Sequence, residues 1–172
     1  MLKLSLLRHG KSAWDDPKLQ DHDRPLARRG RAAAEEIGAY MAAHGPKPDL
    51  VLCSSAVRAR QTLNLVLVRL GAPAPKVTIE PALYLATPTT MLASVRRTAG
   101  HVRHLAVIGH NPGMHALALD LTGSGERREI ASMAMKYPTC ALAVLTFEID
   151  DWADVRPASG RLELFVVPRS LA

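Results

Sequence analysis

With 172 residues, 48% of them apolar and 22% charged, the chain has the size of one domain that buries roughly 70% of its unfolded surface. Its formal charge of +6 is carried by arginine more than lysine, scattered as Arg28, Arg29, Arg58, Arg60, Arg96, Arg97, Arg127 and Arg128 without a dense run. Aromatics make up 4%, too few for a surface that stacks on single-stranded bases, and no apolar stretch reaches the ~18 residues that span a bilayer.

An apolar run without clean alternation at residues 2–7 predicts a strand covered on both faces, and the polar, proline-punctuated residues 11–25 predict a loop. Helical spacing through Ala33, Ile37, Tyr40 and Met41 predicts a helix over 26–44, stopped by Gly45 and Pro46. Residues 50–53 read as a second strand, 56–70 as a helix closed by Gly71, 77–79 as a third strand and 89–98 as a helix. A fourth strand at 105–108 leads through a first-turn Pro112 into a helix ending near 121. Residues 122–125 read as a turn and 126–135 as a helix, and the strands at 141–149 and 162–167 form an antiparallel pair. The expected fold is therefore α/β, three layers with a mostly parallel central sheet of about six strands and one antiparallel edge, occupying 1–172 as a single domain.

Two segments carry chemistry. Leu6-Leu7-Arg8-His9-Gly10 and Val107-Ile108-Gly109-His110-Asn111-Pro112-Gly113 each place a histidine beyond an apolar run, at the strand ends where ligands bind in such folds. A neutral imidazole at His9 is a nucleophile near neutral pH, Arg8 offers a fork of donors to a phosphate, and Gly10 lets backbone approach the anion. His110, before a helix start, can flank a transferring phosphoryl group. In Ser54-Ser55-Ala56-Val57-Arg58-Ala59-Arg60-Gln61-Thr62 the serines suit cap positions, Arg58 shares a face with Thr62, and Arg60 points to solvent. Cys53 and Cys140 read as buried free thiols, and no leader is expected, which places the protein in the cytoplasm.

These segments together resemble the histidine phosphatase superfamily, which includes the phosphoglycerate mutases, and within it the compact SixA-type phosphohistidine phosphatases. Further stretches carry the likeness, namely Lys11-Ser12-Ala13-Trp14, Asp21-His22-Asp23-Arg24-Pro25-Leu26 with Arg29-Gly30, Leu83-Tyr84 and Tyr137-Pro138-Thr139-Cys140. The resemblance implies that His9 takes the phosphoryl group and water then releases phosphate, with Arg8, Arg58 and His110 binding its oxygens. It puts Asp21 and Arg24 at the pocket rim, Asp21 orienting Arg24 or a water, and requires no metal and no cofactor. His22, His44, His101, His104 and His115 are expected to be surface or packing residues.

One departure bears on the substrate. Many relatives acting on phosphate esters carry a glutamate acid two residues after a leucine that follows the third strand, where this chain has Leu83-Tyr84-Leu85, with Glu80 close by. Without an acid, loss of an alkoxide suffers by roughly 10²–10⁴, whereas a phosphorylated imidazole leaves easily. The expected partner is then a phosphorylated protein, a histidine-containing phosphotransfer domain or phosphocarrier, acted on by a monomer. A small phosphate ester is the alternative substrate, and a non-catalytic phosphate-binding module the alternative class.

Overall fold

The structure is a computed structural model that describes residues 1–45 and 47–170. Its described residues form seven strands: β1 (Leu2–Arg8), β2 (Leu50–Cys53), β3 (Lys76–Ile79), β4 (His104–Gly109), β5 (Thr122–Gly125), β6 (Leu142–Phe147) and β7 (Gly160–Val166). The helices are α1 (Arg28–His44), α2 (Val57–Leu70), α3 (Pro88–Arg96), α4 (Gly113–Leu121) and α5 (Arg127–Met135). The strands make one sheet in the order β3-β2-β4-β1-β6-β7-β5. β3, β2, β4 and β1 run parallel, β6 runs against both β1 and β7, and β5 is again parallel to β7.

Side chains leave alternate faces of a strand, so a strand covered on both sides must be apolar at nearly every position. Along β1, Leu2, Leu4 and Leu6 enter one core, while Leu7 enters the other. β4 divides likewise, Leu105 and Val107 against Ala106 and Ile108. The first core is closed by Met91 and Val95 of α3, Leu117 and Leu121 of α4 and Met133 of α5. The second is closed by Ala34 and Ile37 of α1 and by Leu63, Val66 and Leu70 of α2. Gly38 lets these two helices meet closely, for a Cβ there would lie 2.9 Å from the Val66 Cα.

The seventh strand is the main difference from the sequence-based expectation, which has a turn at residues 122–125. The segment Thr122-Gly123-Ser124-Gly125 has no apolar residue to reveal a strand, yet it pairs with β7 at the sheet edge. Its glycine is needed there, because a Cβ on Gly123 would fall 1.9 Å from the Ala158 carbonyl oxygen. The antiparallel pairing expected of the last two strands is present, with β6 as the single reversed strand. Pro112 caps α4 rather than opening its first turn. Helix α1 ends at His44 with Gly45 at its C-cap, and the expected stop at Pro46 lies outside the described residues, as do 171–172 of the expected domain. No described helix is long and apolar enough to cross a membrane.

Candidate active site

The strand register builds the site. β1 and β4 lie side by side, with Arg8 opposite Gly109. The residue after each strand is a histidine, and the His9 amide still bonds the Gly109 carbonyl at 3.1 Å. The two imidazoles therefore stand together, ring centroids 4.9 Å apart, both buried.

The Nδ1–H of His9 donates to the Gly10 carbonyl at 2.7 Å, which leaves the Nε2 lone pair for the pocket, where Arg58 Nε approaches it at 3.4 Å. Gly10 thus acts through its carbonyl. Its amide is taken by Thr62 Oγ1 at 3.0 Å, so it does not reach toward an anion as expected. The glycine itself is demanded by packing, since a Cβ there would sit 2.8 Å from the Gly30 carbonyl oxygen. Burial, reinforced by Arg58 and Arg8, pushes the His9 pKa down to about 4. His110 is pushed down to about 3, again chiefly by burial and then by His9 and Arg58. Both rings are neutral at pH 7.

Arg58, on the first turn of α2, is the hub. Its NH1 donates to the Asp21 carbonyl at 2.7 Å, its NH2 to Asp21 Oδ2 at 3.0 Å, and NH2 also approaches His110 Nδ1 at 3.4 Å. Guanidinium has no acceptor, so His110 Nδ1 carries the lone pair and Nε2–H donates to Ser54 Oγ at 2.7 Å. Arg8 is held from the other side by the Tyr137 carbonyl, 3.0 Å from its NH1, and its Nε has no hydrogen-bond partner among the described residues. The same carbonyl accepts Asn111 Nδ2 at 2.9 Å, tying the loop after α5 to the His110 turn.

Asp21 orients Arg58, not Arg24 as expected. Its carboxylate also accepts the Tyr84 hydroxyl, and Tyr84 and Arg58 together hold it below the usual carboxylate range. Arg24 instead stacks on the exposed Trp14 ring, its guanidinium carbon 3.9 Å from the centroid. Glu80 is turned away, its carboxylate engaged by Ser94 Oγ at 2.6 Å and Arg97 NH2 at 2.9 Å.

Three residues escaped the sequence reading. Ser54 and Ser55 are not helix caps, since Ala56 holds the cap position of α2 without a side-chain bond. Ser54 fixes His110, and Ser55 bonds His22 Nε2 at 2.9 Å. His22 packs edge-on against Tyr84, centroids 4.8 Å apart, so it belongs to the rim rather than to an unrelated surface. Short polar side chains after a strand suit a cap equally well, and only the adjacency of β2 and β4 reveals the histidine partner. Cys53 and Cys140 are buried free thiols, each pushed up to about 12 by burial. Among the described residues no group of three or more His, Cys, Asp or Glu side chains is placed to hold a metal ion. A cleft of about 400 Å³ opens away from this site, lined by Met1, Lys3, Tyr40 and Met41 among others, and contains neither His9, His110, Arg8 nor Arg58.

A neutral imidazole with its Nε2 lone pair free, a second histidine beside it and two arginines near the carboxyl ends of parallel strands make an arrangement that can hold and transfer a phosphoryl group. The comparisons with known proteins agree. Residues 4–84 match the model of the histidine phosphatase superfamily, branch 1. An uncharacterized protein of Mycobacterium tuberculosis is 42% identical over 165 residues, 95% of this chain and 100% of the relative. The structure of a SixA phosphohistidine phosphatase candidate from Agrobacterium tumefaciens superposes with a TM-score of 0.82 at 31% identity, covering 97% of this chain and 98% of that one. A protein histidine phosphatase SixA complexed with tungstate shares the fold, with a TM-score of 0.78 at 23% identity over 99% of this chain and 100% of the other. The chain belongs to the histidine phosphatase superfamily.

Proposed function

We propose that this chain, acting as one domain and as a monomer in the cytoplasm, hydrolyses phosphohistidine on a protein partner. His9 Nε2 attacks phosphorus, the bond to the departing group breaks, and a phosphohistidine forms on His9. Water then attacks that intermediate, releasing inorganic phosphate and restoring the imidazole. Arg8 and Arg58 bind the phosphoryl oxygens, joined by His110 once the bound dianion draws a proton onto its Nδ1, so the negative charge of the transition state meets donors in a buried site. The Gly10 carbonyl keeps the proton on Nδ1, presenting Nε2 in the form that reacts.

The observation that supports this substrate is the state of the Asp21 and Glu80 carboxylates. Asp21 is ionised and shared between Arg58 and Tyr84, and Glu80 is engaged by Ser94 and Arg97. Neither is a proton donor for an alkoxide, whereas an imidazole leaves without one. Trp14 at 65% and Leu85 at 53% exposure, on the loops that carry Asp21 and Tyr84, leave apolar surface for a protein partner at this edge.

The test is phosphate release from a phosphohistidine-bearing phosphotransfer protein and from an aryl phosphate, by the native chain and by His9→Ala. The expected result is release from both substrates by the native chain, the protein being preferred, and none by the variant. Preference for the small ester would move the substrate to that class. Phosphate binding without turnover in the native chain would make this a binding module.

A further inference from the structure

In-line displacement places the attacking and leaving atoms on opposite sides of phosphorus. His9 is 7% exposed and forms the floor of the pocket. The leaving atom therefore faces the mouth, where the Asp21 side chain is 44% exposed beside a buried Arg58. Asp21 is held by three contacts, two of them to its carboxylate. Arg58 NH2 bonds Oδ2 at 3.0 Å, Arg58 NH1 bonds the backbone carbonyl of the same residue at 2.7 Å, and Tyr84 donates its hydroxyl to Oδ2. Tyr84 is itself wedged between His22 and His110, with ring centroids 4.8 and 5.4 Å away. What meets the leaving group is thus a fixed negative charge.

We propose that Asp21, clamped by Tyr84 and Arg58, is a specificity-determining residue that favours leaving groups bearing positive charge before departure and opposes those that depart as oxyanions. The proposal rests on the phosphohistidine reading above and names how the site discriminates. A phosphohistidine ring protonated on its second nitrogen is a cation. As the bond from His9 Nε2 to phosphorus forms, the older P–N bond breaks, and its electron pair stays on the leaving nitrogen. The ring departs as neutral imidazole, its proton where it was, and no transfer is required. Asp21 favours that cationic form, because an opposite charge within ~4–6 Å shifts such an equilibrium by about one to three pKa units. An ester differs in that the P–O electron pair stays on oxygen. That oxygen gathers negative charge beside a carboxylate, and the Tyr84 proton is committed to Asp21.

The experiment compares kcat/KM for phosphoimidazole, phenyl phosphate and p-nitrophenyl phosphate in the native chain, Asp21→Asn and Tyr84→Phe. In Asp21→Asn the ratio of phosphoimidazole to phenyl phosphate should fall about tenfold or more, and the gap between the two aryl esters should narrow. Tyr84→Phe, which keeps the Asp21–Arg58 pair, should shift the ratio the same way by less. Equal losses on all three substrates would overturn the proposal, reducing Asp21 to a tether for Arg58 while the phosphatase reading stands. An unchanged ratio in both variants overturns it as well. A native chain that releases phosphate from esters but not from phosphoimidazole would remove the phosphohistidine reading, and the selector with it. Should Asp21→Asn fail to fold by circular dichroism, Tyr84→Phe alone decides, through the same ratio.

Discussion

Replacing Ser54 by alanine removes one hydroxyl and leaves the backbone of the pocket intact. That hydroxyl is fully buried and lies 2.7 Å from His110 Nε2, and it also accepts the Ala56 amide at 3.3 Å. Without it the Nε2–H has no acceptor, and a buried donor left unpaired costs about 1–3 kcal/mol. The ring can escape only by moving its proton to Nδ1, which would then face Arg58 NH2, donor against donor, at 3.4 Å. Either outcome disturbs the histidine that faces the phosphoryl group. The expected loss in kcat/KM is about tenfold or more, with Tm lower by about 2–10 °C for a chain of this size. Steady-state hydrolysis, thermal unfolding and the ¹⁵N shifts of the His110 ring, measured on Ser54→Ala and on the hydroxyl-preserving Ser54→Thr, give the answer. A Ser54→Ala enzyme within twofold of native kcat/KM, with the His110 proton still on Nε2, would refute the reasoning.

The depressed His9 pKa, about 4, makes stability depend on pH. Between about pH 6.5 and 4 the unfolded chain takes up a proton at His9 that the folded chain refuses. The His9 contribution to stability should therefore be full above pH 6.5 and fall by about 3 kcal/mol toward pH 4, beside a comparable loss from His110, read as urea midpoints, and His9→Asn should reduce the slope without abolishing it; a native midpoint indifferent to pH would contradict this. Gly30→Ala puts a Cβ 2.2 Å from the Lys11 carbonyl oxygen, two residues beyond His9. It should cost about 1–3 kcal/mol in denaturant unfolding and lower turnover by shifting that loop, and a variant as stable as native would show the contact to be yielding. Glu80→Gln should leave turnover within twofold, because that carboxylate serves Ser94 and Arg97; a tenfold loss of kcat would restore it as the acid.

The legible parts of this chain were those whose signal is local. A mostly apolar run marks β1 and an unbroken one the body of β4, and the histidine that follows each strand falls at the edge where ligands bind. Arg58 could be placed from helix geometry, one turn before Thr62. What stayed hidden depends on contacts between distant segments. The role of Ser54 and the hold of Asp21 on Arg58 become legible only once β2 is known to neighbour β4 and the loop after β1 is known to fold over α2. Tyr84 looked like the absence of a carboxylate, and its role emerges from the hydroxyl meeting Asp21. β5 was missed because a glycine-rich edge strand buries little and so has no apolar pattern to display.

Adjacent strands in any sheet lie ~4.7–4.9 Å apart, and the His9 and His110 rings, each just beyond a paired register position, are 4.9 Å apart. The backbone ladder thus works as a ruler for the reacting histidines, while the Gly10 carbonyl and the Ser54 hydroxyl hold their rings. The loops that carry Trp14, Asp21 and Tyr84 are free of that gauge. They can lengthen, shorten or change charge while the distance between the two imidazoles stays put. Substrate preference and chemical competence are consequently written in separate parts of the chain, and one can drift without erasing the other.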